Sequence, residues 1–251
     1  MSQVQILPPA FTEIGCFIGW LKATIGWSIL LLGCTSMRII AMADTHTLHR
    51  RVVVPDGDVL VFAGDMGGYG EIQELVAFNK WLGTLPHKHK IVIAGNHDWC
   101  FAKQRKPSEE ILTNATYLQD SAVTIDDVSF YGSPWQPEFC DWAFMLPRNS
   151  EQLNLCWSKI PTGIDVLITH TAPHGILDVA RGHHVGCEIL RVALKRIRPK
   201  VHVFGHLHEG YGRIEIDGTT FVNVSVCNEE YEIVNQPQTI ETTEELHNAT
   251  A

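Results

Sequence analysis

Apolar residues in this chain come in short β-branched runs, and each run stops at a polar residue. Arg38–Ala43 ends at Asp44, Val59–Ala63 at Gly64 and Asp65, and Lys90–Ala94 at Gly95 and Asn96. Later, Asp165–Thr169 ends at His170, and Val201–Phe204 at Gly205 and His206. Short runs that are apolar on both faces predict buried parallel strands. Between them the period changes. Glu71–Leu82 places Ile72, Leu75, Val76, Asn79 and Leu82 on one face at the roughly 3.6-residue period of a helix. Glu151–Lys159 also reads as helix, as does Cys187–Arg198, which Pro199 stops. Ala115–Gly132 reads as short strands turning at Asp126-Asp127, and Arg213–Val224 as a hairpin around Asp217-Gly218. Strands alternate with helices early and hairpins mix in later. That pattern predicts an α/β fold of the α+β type, with one mixed sheet or two packed sheets and helices outside.

The ends of the chain do not follow this pattern. Residues 14–32 form an apolar stretch of nearly the length that crosses a bilayer, but Lys22 interrupts it. No basic residue precedes Lys22, so the positive start of a signal peptide is missing. Met37-Arg38-Ile39-Ile40 reads as a natural start directly before the first strand. The expectation is therefore that residues 1–36 are an over-extended start, with a membrane anchor and a secretory signal as the alternatives. Residues 37–236 are expected to form the domain, and 237–251 an acidic, mobile tail.

Composition narrows the chemistry. Hydrophobic residues make up 45% of the 251, enough for a sizeable core, and the formal charge of −9 argues against a nucleic-acid groove. A small anionic substrate stays open, because bound metal ions dominate the field inside a cleft. The seven cysteines are odd in number, scattered and without a Cys-x-x-Cys pair. They read as reduced thiols of a cytoplasmic protein rather than as a zinc ribbon or a disulfide framework.

The strand ends carry Asp44 with His46, Asp65, Asn96 with His97 and Asp98, His170, and His206 with His208. Open α/β sheets bind ligands beyond the carboxyl ends of their strands. Imidazole with carboxylate suits manganese, iron, zinc or nickel rather than calcium. There are too many donors for one tetrahedral ion, whereas two ions bridged by a carboxylate would use them all. Other candidates weigh less. His87 and His89 read as a solvated loop, and His183 and His184 as exposed loop. His174 lies near a ligand segment, and Trp135, between two prolines, is a candidate for the pocket wall.

In this order, Asp44-x-His46, Gly64-Asp65, Gly95-Asn96-His97-Asp98, a strand-end His170 and Gly205-His206-x-His208 resemble the calcineurin-like metallophosphoesterases. Asn79-Lys80-Trp81-Leu82-Gly83, Tyr117-Leu118-Gln119-Asp120, Gly132-Ser133-Pro134-Trp135 and His208-Glu209-Gly210-Tyr211-Gly212 look like the subgroup called metallophosphoesterase-domain-containing proteins. The resemblance implies a four-layer αββα sandwich of two mixed β-sheets flanked by helices. It implies two divalent metal ions, manganese first, with Asp44, His46 and His208 on one, Asn96, His170 and His206 on the other, and Asp65 bridging. It further implies in-line attack by a bridging hydroxide, with His97 serving the leaving oxygen and Asp98 orienting His97.

The departures from that family concern the substrate. Its serine/threonine phosphatases carry arginines soon after the Gly-Asp and Gly-Asn-His motifs. Here Met66-Gly67-Gly68-Tyr69-Gly70 follows Asp65, and Trp99-Cys100-Phe101 follows Asp98. A diester carries one negative charge and needs less clamping than a monoester dianion. The expected substrate is therefore a small phosphodiester, and the family resemblance makes cyclic nucleotides the leading candidates. A phosphomonoesterase, and a metal-binding scaffold with little turnover, are the alternatives.

Overall fold

The structure is a computed structural model that describes residues 36–242. In chain order it holds β1 (Arg38–Met42), β2 (Val59–Ala63), α1 (Ile72–Leu82), β3 (His89–Ile93), α2 (Trp99–Lys103), α3 (Arg105–Ile111), β4 (Thr116–Tyr117), β5 (Ser121–Ile125) and β6 (Val128–Ser133). The short strands β7 (Gln136–Pro137) and β8 (Met145–Leu146) come next, then α4 (Glu151–Ser158), β9 (Val166–Thr169), β10 (Val179–Ala180), β11 (His183–His184) and α5 (Glu188–Ile197). The last elements are β12 (Val201–Phe204), β13 (Gly212–Ile216), β14 (Thr219–Asn223) and β15 (Gln238–Glu241).

Two sheets account for the apolar runs. One has the order β15-β1-β2-β3-β4 and the other β13-β14-β12-β9-β6-β5. The ligand-bearing strands are parallel within their sheets, and antiparallel strands occur only at the edges. The alternation of each strand then divides its residues between two faces. Ile39, Val61 and Ile91 meet Phe130, Ile168, Val203 and Val222 between the sheets. Ile40, Leu60, Phe62 and Val92 pack outward on Leu75, Phe78, Leu82 and Phe101 of α1 and α2. Leu167, Phe204 and Phe221 pack outward on Leu153, Trp157, Leu190 and Ile197 of α4 and α5. This is the four-layer αββα sandwich, with the polar strand ends gathered along one rim.

The structure differs from the sequence expectation in three places. The buried face of α1 is Leu75, Phe78, Trp81 and Leu82, while Val76 is half exposed, because Phe62 selects the aromatic stripe. The stretch 99–111, which has no clear apolar period, forms α2 and α3. The tail expected to be mobile from 237 onward instead supplies β15, which pairs antiparallel with β1 from Arg38↔Glu241 to Ala41↔Gln238. Polar residues suffice there because β15 is an edge strand with only Ile240 fully buried. The expectations for residues 1–35 and 243–251 lie outside the described residues. Among the described residues, no helix is long and apolar enough to cross a membrane.

Candidate metal centre

The strand ends deliver their donors through sharp turns. Asp44, His46, Asp65 and His206 all have positive φ, at 57°, 40°, 59° and 68°. Such backbone conformations are costly for residues with a Cβ and gather at functional sites. Two glycines make the crowding possible. A Cβ on Gly64 (φ 97°) would lie 2.5 Å from His170 Nδ1, and one on Gly95 would lie 2.2 Å from Asp65 Oδ1. At both positions backbone must pass where a side chain would collide with a ligand.

The donors converge in three groups, Asp44 with His46 and His208, His46 with Asp65 and His97, and Asp65 with His170 and His206. Within each group the ligand atoms lie within 4.8 Å of one another. Asp65 Oδ2 is 3.3 Å from His170 Nε2 and 4.0 Å from Nε2 of both His46 and His97. Asn96 Oδ1 lies 3.1 Å from His170 Nε2. Asp65 thus belongs to two donor groups at once.

The outer hydrogen bonds leave lone pairs facing inward. His170 Nδ1–H donates to the Ala63 carbonyl at 2.8 Å, and His208 Nδ1–H to the Asn228 carbonyl at 2.8 Å. Both rings therefore turn an unprotonated Nε2 inward when neutral. His208 Nε2 then faces His46 Nε2 at 3.3 Å, and His170 Nε2 faces two oxygen acceptors. Asp44 is held the same way. Its Oδ2 accepts from the His206 N–H at 2.9 Å and from the Ser225 hydroxyl, while its buried Oδ1 has no hydrogen-bond partner. Acceptors pointed at acceptors, with their far sides pinned by donors, are fitted to cations.

The electrostatics agree. Burial pulls His46 down to about 4, against the upward pulls of Asp65 and Asp44, and burial holds His206 well below its ordinary range. Burial also works to lower His170, but Asp65 beside it wins and raises it to about 9. Burial would raise Asp65, yet His170 and the other histidines outweigh it and hold it low. A carboxylate that draws protons onto buried imidazoles draws metal ions by the same field.

His97 and Asp98 separate in role. The His97 ring packs at a tilt of 33° against Trp142, with centroids 4.2 Å apart, and is oriented by donating from Nδ1 to the Gly68 carbonyl at 2.6 Å. The expectation that Asp98 orients His97 does not hold. Asp98 is fully buried and accepts three backbone N–H groups, from Gly95 (2.8 Å) and Asp65 (2.9 Å) at Oδ2 and from Gly67 (3.1 Å) at Oδ1. Asp65 Oδ1 in turn accepts the His97 N–H at 2.9 Å. The two loops are cross-braced, and Asp98 acts as their staple rather than as a group facing substrate. Burial, reinforced by Asp65, pushes its carboxyl up to about 7.

Trp135 and His174 do not line the cleft. Trp135 Nε1 donates to Asp120 Oδ2 at 3.0 Å and its ring packs on Phe144, so its prolines set it into the core wall. His174 is carried toward His184, whose Nδ1 bonds Asp178 at 2.6 Å. His183 and His184 are exposed on β11. His87 is not solvated but buried.

The cleft over the ligands has a volume of about 220 Å³. Its walls include Phe139, Trp142, Leu207, Glu209, Glu229 and Tyr231, and among the described residues no lysine or arginine lines it. Of these six, Leu207 and Glu209 fall inside the Gly-His-x-His and His-Glu-Gly-Tyr-Gly motifs, and the other four carry no motif signal. Ser225 had a signal, since β14 is a sixth apolar run that ends in polar residues, Asn223 and Ser225. The aromatic residues lie in loops, where no periodicity marks them. The residues that follow the two motifs go elsewhere: Tyr69 is exposed, Trp99 lies under Lys103, and Phe101 stacks on Tyr117.

Known proteins are similar to this chain in sequence and in fold. Human metallophosphoesterase domain-containing protein 1 is 43% identical over 230 residues, covering 81% of this chain and 70% of that protein. UPF0046 protein K07C11.7 of Caenorhabditis elegans is 40% identical over 220 residues, covering 82% and 75%. Among solved structures, TT1561 of Thermus thermophilus superposes with a TM-score of 0.50 at 13% identity, over 75% of this chain and 89% of that one, a likeness of fold alone. The profile of the calcineurin-like phosphoesterases matches residues 37–210, which span β1 and all seven Asp, Asn and His ligand candidates. The chain thus belongs to the calcineurin-like phosphoesterase family, hydrolases whose divalent metal ions these aspartates and histidines are fitted to hold.

Proposed function

We propose that the protein hydrolyses small phosphodiesters at a binuclear metal centre, with manganese as the leading metal and cyclic nucleotides as the leading substrates. Asp44, His46 and His208 would hold one ion and Asn96, His170 and His206 the other, with Asp65 shared because it sits in two donor groups. When bound, the ions supply Lewis acidity and an activated water nucleophile. The chain's own groups do the rest. Backbone donors aim Asp44 and Asp65, and the carbonyls of Ala63 and Asn228 fix the tautomers of His170 and His208. His97 lies beside the ligands with Nε2 turned toward Asp65. Carrying both ring protons, it hands the Nε2 proton to the leaving oxygen while Gly68 keeps the ring in place.

The observation that carries the diester reading is the lining of the cleft, aromatic on its sides and free of lysine and arginine among the described residues. A monoester dianion brings a second negative charge for which, among the described residues, no lysine or arginine side chain lines the cleft, whereas the second ester group of a diester finds apolar surface. The net charge of −9 likewise favours small substrates over long nucleic acid. The test is kcat/KM for bis(p-nitrophenyl) phosphate against p-nitrophenyl phosphate at matched manganese and pH. The diester should be favoured by at least about tenfold, a difference of about 1.4 kcal/mol in transition-state stabilisation. Equal or better hydrolysis of the monoester would replace this reading with a phosphomonoesterase.

A further inference from the structure

We infer that Tyr231, with Trp142 and Phe139, forms an aromatic clamp that grips the non-reacting ester group, so that the site selects diesters in which that group is, or carries, a planar aromatic ring. The inference rests on the phosphodiester reading and adds to it the residues that set specificity. Tyr231 sits over the ligands, edge-on to His46 at 4.6 Å and to His208 at 5.8 Å between ring centroids. It is 48% exposed and its backbone lies at φ 61°, so a costly backbone conformation holds the residue here without the reward of a core position. Phe139, 53% exposed, borders His206 at 5.2 Å, and Trp142 packs at a tilt against His97.

Both walls are fastened to metal-ligand residues. On one side, the Asn228 carbonyl that takes the His208 proton begins the turn carrying Tyr231, and the Asn228 side chain closes that turn by accepting from the Glu230 and Glu232 N–H groups at 3.1 and 2.8 Å. On the other, the Ala143 N–H next to Trp142 donates to the Asn96 carbonyl at 3.1 Å. The rings are thus positioned by the site's own framework, and among the described residues no hydrogen bond ties the Tyr231 hydroxyl. Aromatic faces built this way recognise flat apolar groups by stacking, without reading hydrogen bonds.

Two diesters with the same p-nitrophenol leaving group isolate the effect, one carrying methyl and the other phenyl as the second ester group. The wild type should favour phenyl by about tenfold in kcat/KM, as expected for one stacked aromatic contact. Tyr231→Ala and Phe139→Ala should each reduce that preference below about threefold while Tyr231→Phe keeps it, with metal content unchanged in every preparation. Equal rates for the two diesters in the wild type, an unaltered preference in Tyr231→Ala, or a loss in Tyr231→Phe would overturn the clamp. So would metal loss in Tyr231→Ala, which would make Tyr231 a support for His208. If neither diester is hydrolysed, the phosphodiester reading fails. The clamp is then judged by calorimetry of phenyl phosphate against methyl phosphate on manganese-loaded protein. Tighter phenyl binding that Tyr231→Ala abolishes supports it, and equal binding refutes it.

Discussion

Replacing Asp98 with alanine should cost this fold several kcal/mol without removing any group that faces substrate. Its carboxylate accepts the N–H groups of Gly95, Asp65 and Gly67 in a fully buried place. Each buried donor left without a partner costs about 1–3 kcal/mol. Some relaxation and water entry would follow, so the sum expected for alanine is about 3–5 kcal/mol, a large share of the usual 5–15 kcal/mol of a domain. Asparagine should be milder. Its carbonyl can keep the pair of donors at Oδ2, leaving its amide against the Gly67 N–H for a cost of about 1–3 kcal/mol. The assay is urea denaturation in chelator, where bound metal cannot add to native stability, repeated with saturating manganese. Metal should stabilise the Asp98→Ala variant less than the wild type, because the loop presenting Asp65 has lost its staple. A loss below about 1 kcal/mol for alanine in chelator, or asparagine costing more than alanine, would refute the staple.

Further outcomes follow from the same geometry. If the proposed binuclear centre holds, Asp65→Asn should lower bound metal from two equivalents per chain to below one by elemental analysis, since Asp65 belongs to two donor groups; two retained equivalents would refute the proposed bridging role. His97→Ala should lower kcat by about 10²–10⁴-fold with metal retained, and by less for a p-nitrophenyl leaving group that needs no proton; an equal loss for poor and good leaving groups would refute the acid role. His202 is fully buried on β12 beside Thr169 Oγ1 (2.8 Å), and burial lowers it from 6.5 to about 3. Its unfolded form binds the extra proton between those values, so its contribution is complete above pH 6.5 and is lost toward pH 3. The slope is about 1.4 kcal/mol per pH unit. At pH 5, unfolding of His202→Leu should take up about one proton fewer than the wild type, and equal uptake would refute the assignment.

The parts legible from sequence are those in which one residue type carries one signal. β1, β2, β3, β9 and β12 are visible because buried parallel strands are apolar on both faces, and their ligands are visible because a strand's end places its next residues at a fixed rim. The role of Asp98 is not visible, since an acid that accepts backbone N–H groups and one that orients a histidine look alike in a motif. Trp135 and Trp142 differ only in the path of a loop. β15 escapes because an edge strand needs backbone partners more than an apolar pattern, and Gln238-Thr239-Ile240-Glu241 has only Ile240 to mark it. The α1 face is misjudged because Phe78 and Trp81 meet Phe62 and His49, neighbours known only in three dimensions.

The pairing of β1 with β15 also shapes how the protein is made. The Met37 N–H donates to Thr242 Oγ1 at 2.8 Å, across a separation of 205 residues. At ordinary translation speeds of about 5–20 residues per second, β1 waits roughly 10–40 s on the ribosome for its outer neighbour. Asp44 at its end waits almost as long for Ser225. During that interval the nascent chain presents an apolar strand with one unpaired edge, the feature that recruits chaperones or seeds aggregation. Yield on expression should therefore depend on how fast the last strand arrives, and slower growth at lower temperature, with chaperones in excess, is the condition that protects it.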